Sequence, residues 1–87
     1  VPYAVTFTAA AAKSLDKFDK ALLARIRAKV LGLAEVPRPP GSVKLAGQTD
    51  LHRVRIGDYR IVYRIDDAAQ TVEVAIVAHR REVYRDL

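Results

Sequence analysis

The chain has 87 residues, 51% of them hydrophobic, which suits a single domain (1–87) built around one modest core. Fifteen Lys plus Arg against ten Asp plus Glu leave a formal charge of +5, a surplus that attracts phosphate backbones, anionic membranes or an acidic protein without choosing among them. Cysteine is absent, which excludes a disulfide framework and a thiolate metal site. No apolar run approaches the roughly 20 residues that span a bilayer, and no signal-peptide pattern opens the chain, so a cytoplasmic protein without membrane contact is expected.

In chain order, "YAVTF" (3–7) alternates Tyr3, Val5 and Phe7 at period two and predicts a short strand. Thr8 then caps a helix through "AAAAKSLDKF", where Ala11, Leu15 and Phe18 share a face. Asp19 caps a second helix in which Leu22, Ile26, Val30 and Leu33 recur at helical spacing, with Lys20, Arg27 and Lys29 on the solvent side. The close joint makes an antiparallel helical hairpin. "VPRPPGS" (36–42) ends the second helix, because its prolines lack donors and hold the chain extended. "LHRVRI" (51–56), "YRIVYRI" (59–65) and "TVEVAIVA" (71–78) follow as strands. The order β-α-α-β-β-β predicts an α+β fold, an antiparallel-dominated sheet with the helical hairpin packed on one face.

Gly57-Asp58 fits a two-residue hairpin loop with glycine first, and that loop length sets the register. Ile56 then faces Tyr59, Arg55 faces Arg60, Val54 faces Ile61, Arg53 faces Val62 and His52 faces Tyr63. Alternation sends Val54, Ile56, Tyr59, Ile61, Tyr63 and His52 to the core side and leaves Arg53, Arg55, Arg60 and Arg64 on the other. Directly opposed like charges cost a few tenths to about 1 kcal/mol. The cluster is all Arg, whose planar fork suits bidentate phosphate contact; a solvated face that discourages sheet aggregation, with Glu73 or the Asp66-Asp67 turn offsetting the charge, is the alternative. A four-residue loop at 67–70 extends the register to Arg64 opposite Glu73, Val62 opposite Ala75 and Arg60 opposite Val77. On that count His79 emerges on the arginine side, and strict alternation turns Arg80 away unless the strand bends.

The run "KLAGQTDLHRVRIGDYRIVYRID" followed by "VEVAIVAHRREVY" resembles the RelE/ParE superfamily of bacterial toxins, specifically its RelE-like branch. "GDYRIVYRI" is shared across the superfamily and marks the fold, whereas "HRREVY" sets Arg80 and Tyr84 where RelE-like ribonucleases keep an arginine and a tyrosine. The resemblance implies a toxin that enters the ribosomal A site, cleaves the mRNA there and is neutralised by a cognate antitoxin in a hetero-oligomer. Its basic pair on the second strand falls on Arg53 and Arg55, and the arginine within "YRIVY" on Arg60. That pair is often lysine in the family. Arginine in effect never gives up its proton, so here the two hold and neutralise but do not act as bases.

The implied cleavage begins with attack of a 2′-hydroxyl on the adjacent phosphate and requires neither metal nor other cofactor. Negative charge builds on the nonbridging oxygens, and Arg60 and Arg80 are the candidates to stabilise it, with Arg55 beside them. Tyr84 is the candidate base or orienting group, or a stacking partner for a base. His79, whose imidazole can donate or accept a proton, is a further acid–base candidate. Arg53, Arg55, Arg64 and Lys44 are candidate RNA contacts. Two other functions fit the same residues: a ParE-like inhibitor of DNA gyrase without ribonuclease activity, and a basic nucleic-acid-binding module without catalysis.

Overall fold

The computed structural model describes residues 2–45, 47 and 50–83. Among them the elements run β1 (Ala4–Phe7), α1 (Ala9–Leu15), α2 (Lys20–Glu35), β2 (Val43–Lys44), β3 (Leu51–Ile56), β4 (Tyr59–Asp66) and β5 (Thr71–His79). The strands form one sheet in the order β1-β5-β4-β3-β2. β1 runs parallel to β5 and every other neighbour is antiparallel. The α+β expectation therefore holds, with one addition. The two-residue strand β2, following three prolines, pairs only with Arg53 and His52 at the edge of the sheet.

Both expected caps form. The Thr8 hydroxyl accepts from the Ala11 N–H at 3.1 Å, and the Asp19 carboxylate accepts from the Leu22 N–H at 2.8 Å. Each relieves one of the unpaired donors that open a helix. α1 is shorter than the alanine-rich run suggests: it stops at Leu15, and Asp16–Phe18 form a turn in which the Phe18 N–H reaches the Leu15 carbonyl at 3.2 Å. That turn lets Phe18 point back at the sheet.

The helical faces read from the sequence are the buried ones. Ala11, Ile26, Val30 and Leu33 pack on Val54, Ile56, Ile61, Tyr63, Val72, Val74 and Val77, with Leu15, Phe18 and Leu22 partly covered around them. A second, smaller core lies on the opposite face of the sheet. There Val83, just past β5, covers Leu51 and Val62, with Leu45, Ile76 and Ala78 at its rim.

The β3–β4 register agrees with the count from the turn at every pair, Ile56–Tyr59 through His52–Tyr63. The β4–β5 register agrees at Arg64–Glu73 and then departs. Val62 pairs with Ile76 rather than Ala75, and Arg60 with Ala78 rather than Val77, because a bulge opposite Val62/Tyr63 leaves Ala75 without a partner. The Ala75 carbonyl is taken by the Thr8 hydroxyl at 3.0 Å, while the Thr8 N–H bonds the Val74 carbonyl at 2.9 Å. One side chain thus caps α1 and satisfies the bulged strand. The extra residue reverses the facing of everything beyond it. His79, expected on the arginine side, stands opposite Tyr59 on the helical side. Arg80 lies in the turn just past β5, where strand alternation no longer sets its facing, and it is held at Asp58.

Candidate nucleic-acid interface

The β3–β4 turn organises the site. Gly57 has φ +56° and Asp58 a negative φ, the arrangement of a type II′ turn with glycine in its first central position. Such a two-residue loop makes Ile56–Tyr59 the hydrogen-bonded closing pair. Arg55 and Arg60 are then a non-hydrogen-bonded pair, the kind with Cα atoms roughly 4.5 Å apart and close side chains.

Each expected arginine has a distinct environment. Arg60 is half-buried, and one terminal nitrogen of its guanidinium donates to the carbonyls of Gly57 and Tyr59, both at 3.0 Å. The Arg80 N–H donates to the Asp58 carbonyl at 2.7 Å, and its Nε lies 3.8 Å from the Asp58 carboxylate. Gly57, Asp58 and Tyr59 therefore gather Arg60 from β4 and Arg80 from the turn after β5. Arg55 is exposed and, among the described residues, has no carboxylate within ion-pair reach. Arg53 is half-buried beside Val62.

Arg64 stands apart from this group. It lies four residues along β4 from Arg60, about 13 Å at the usual strand rise. Its guanidinium sits between Asp50 at 3.6 Å and Glu73 at 3.4 Å. Glu73 thus offsets the charge as anticipated. Asp67 does not: it takes two hydrogen bonds from Arg38, at 3.0 and 3.2 Å, and one from the Tyr3 hydroxyl at 2.7 Å. Arg38 and Tyr3 together hold the Asp67 carboxyl below the usual aspartate range. Lys44 lies in β2, opposite His52, with its side chain exposed. Tyr84 lies outside the described residues.

Of the two histidines, one agrees with expectation and one departs from it. His52 is on the core side as read, 8% exposed and stacked on Tyr63 with ring centroids 5.7 Å apart. Its Nδ1 has no hydrogen-bond partner among the described residues. Burial pushes its pKa below the ordinary histidine value, opposed by a backbone hydrogen bond at Asp50. His79 meets Tyr59 edge to face at 5.5 Å, and Tyr59 in turn meets Phe18 at 5.2 Å.

Two residues outside the expected set belong to this neighbourhood. Asp58 carries only a turn signal in the sequence, yet it holds Arg80 by both carbonyl and carboxylate. Arg25 reaches from α2 to the turn, and its guanidinium lies 3.0 Å from where a Cβ on Gly57 would stand. With Lys29 and Arg55 it lines a groove of about 700 Å³ floored by Leu33, Ile56 and Pro40. Helical periodicity separates Arg25 from the buried stripe but carries no sign of a glycine across the sheet.

The arrangement brings Arg55, Arg60 and Arg80 to one end of the sheet face, with Arg53 next along β3. Guanidiniums so placed can neutralise a phosphodiester and its flanking phosphates. The model of the "ParE toxin of type II toxin-antitoxin system, parDE" matches residues 5–84. The chain belongs to this toxin family. It is 38% identical to Toxin RelE of Mycobacterium tuberculosis over 85 residues, covering 97% of this chain and 88% of that protein. Toxin RelG of the same organism is 35% identical over 86 residues, covering 98% and 99%. Among solved structures, the toxin of the M. tuberculosis RelBE2 toxin–antitoxin complex superposes with a TM-score of 0.81 at 34% identity, over 92% of this chain and 100% of that one. The archaeal RelE–RelB complex from Pyrococcus horikoshii gives 0.82 at 27% identity, over 92% and 97%.

Proposed function

We propose that this toxin is an mRNA endoribonuclease that acts on the ribosome in the cytoplasm and is held inactive by a cognate antitoxin in a hetero-oligomeric complex. The reading rests on one observation above others: Arg55 and Arg60 face each other across the ladder while Arg80 is tied to the turn that joins their strands. A RelE-named relative at 38% identity favours it over gyrase inhibition. RelB partners in the solved complexes of related toxins support the antitoxin.

In this reading the RNA 2′-oxygen attacks the adjacent phosphate and the P–O5′ bond breaks, leaving a cyclic phosphate and a free 5′-hydroxyl. Arg60 and Arg80 face the nonbridging oxygens, where charge develops. Arg60 is already oriented by two backbone carbonyls, so little reorganisation accompanies the reaction. Arg53 and Arg55 neutralise flanking phosphates, and Lys44 extends the contact along the message at the sheet edge. Tyr84 is the group assigned to proton transfer or to orienting the 2′-hydroxyl. Arg64 contributes at the periphery, since an RNA phosphate there competes with Asp50 and Glu73.

The test is a primer-extension map of cellular mRNA after induction. Codon-phased cuts that vanish with Arg60→Ala are expected. Intact mRNA with gyrase arrest assigns the other activity, and growth arrest that survives Arg60→Ala reduces the protein to a binding module.

A further inference from the structure

His79 opens the turn that follows β5 and satisfies three of its backbone donors. Its ring Nδ1 accepts from the Arg81 N–H at 3.2 Å, and its carbonyl accepts from Glu82 at 2.8 Å and Val83 at 3.0 Å. This is the bonding of an N-cap: the side chain takes the donor two residues on, while the carbonyl begins the helical series. The ring is braced from behind by Tyr59, which rests on Phe18, so Nδ1 points along the chain. Accepting through Nδ1 assigns the neutral ring's proton to Nε2.

We propose that His79 is a positioning residue, a cap that sets the turn carrying Arg80 and Val83, and not a proton donor or acceptor in RNA cleavage. The claim rests on the ribonuclease reading given above. The bulge at Ala75 turns the imidazole onto the helical side with Tyr59, while Arg55 and Arg60 occupy the other side. What His79 controls lies one and four residues on. Arg80 docks its N–H on Asp58, and Val83, 1% exposed, seals Leu51 and Val62 beneath the arginines. Loss of the cap frees the Arg81 donor and loosens both attachments, so the guanidinium of Arg80 spends less time near the scissile phosphate.

Asparagine separates the two roles, since its short side chain is a preferred cap but has no imidazole chemistry. His79→Ala is expected to speed amide exchange at Arg81 about five- to tenfold and to lower the single-turnover cleavage rate on programmed ribosomes by about tenfold. His79→Asn is expected to restore both to within about twofold of the parent. If His79→Asn cleaves as poorly as His79→Ala while its turn amides are protected, the imidazole itself does chemistry and the proposal is wrong. Unchanged exchange in His79→Ala overturns the cap, and faster exchange with unchanged cleavage overturns the positioning role. A parent protein that cuts no RNA on ribosomes refutes the ribonuclease reading, and the exchange measurement still decides the cap.

Discussion

Arg55 and Arg60 stand directly opposite one another across the β3–β4 ladder, yet among the described residues only Arg60 is tied down, by the Gly57 and Tyr59 carbonyls. Removing either cation relieves the same repulsion, but only the loss of Arg60 also leaves the turn carbonyls without that donor. Arg55→Thr is therefore expected to raise stability by a few tenths to about 1 kcal/mol. Arg60→Ala is expected to lower it by about 1 kcal/mol. Both should lose cleavage. Denaturant midpoints of the two variants check the opposite signs, and equal shifts in one direction would contradict the asymmetry.

Thr8 joins two parts of the fold through one hydroxyl, accepting from Ala11 and donating to Ala75. Thr8→Val keeps the shape and loses both bonds, so a destabilisation of about 2 kcal/mol is expected. Thr8→Ser should recover most of it. Chemical denaturation of the pair measures this, and a Thr8→Val variant as stable as the parent would remove the hydroxyl from the account of the bulge.

Acid should act on this fold in two separate windows. His52 has its folded-state pKa depressed, chiefly by burial, so its neutral form is the one the fold accepts. The unfolded chain takes up this proton more readily. Stability is therefore intact above the unfolded histidine pKa of about 6.5 and declines as pH falls from there toward the depressed folded value. Asp67, depressed by Arg38 and Tyr3, contributes stability above its unfolded pKa that is lost as pH falls through its folded value, below the ordinary aspartate range. His52→Phe should flatten the stability curve below about pH 6.5, and Asp67→Asn should flatten it only in stronger acid. Thermal scans across pH read both. A slope near pH 6 that survives His52→Phe would assign it to another group.

What could be read from residues alone divides along physical lines. Caps at Thr8 and Asp19, the helical stripes and the first hairpin follow from local chemistry, and a two-residue loop with Gly57 first permits one register. The second hairpin has no such constraint. Its bulge is stabilised by a bond from Thr8, 67 residues away in the chain, and nothing near Ala75 announces it. The facing expected for His79 fails for that reason alone. Two residues carry no periodicity, so β2 leaves no signal in the sequence, and the contact of Arg25 with the turn depends on a Cβ that Gly57 lacks. The arginine cluster was visible as a set. Its tethers were not: Arg60 on carbonyls and Arg80 on Asp58 are tertiary facts.

The most direct measurement is the single-turnover rate at which saturating toxin cuts a defined message on purified, programmed ribosomes, compared between the parent and Arg60→Ala at matched fold and occupancy. A preorganised guanidinium on the developing oxyanion predicts a loss of about 100- to 1,000-fold. A rate within about threefold of the parent, a barrier change below about 0.7 kcal/mol, would show that Arg60 does not face the reacting phosphate.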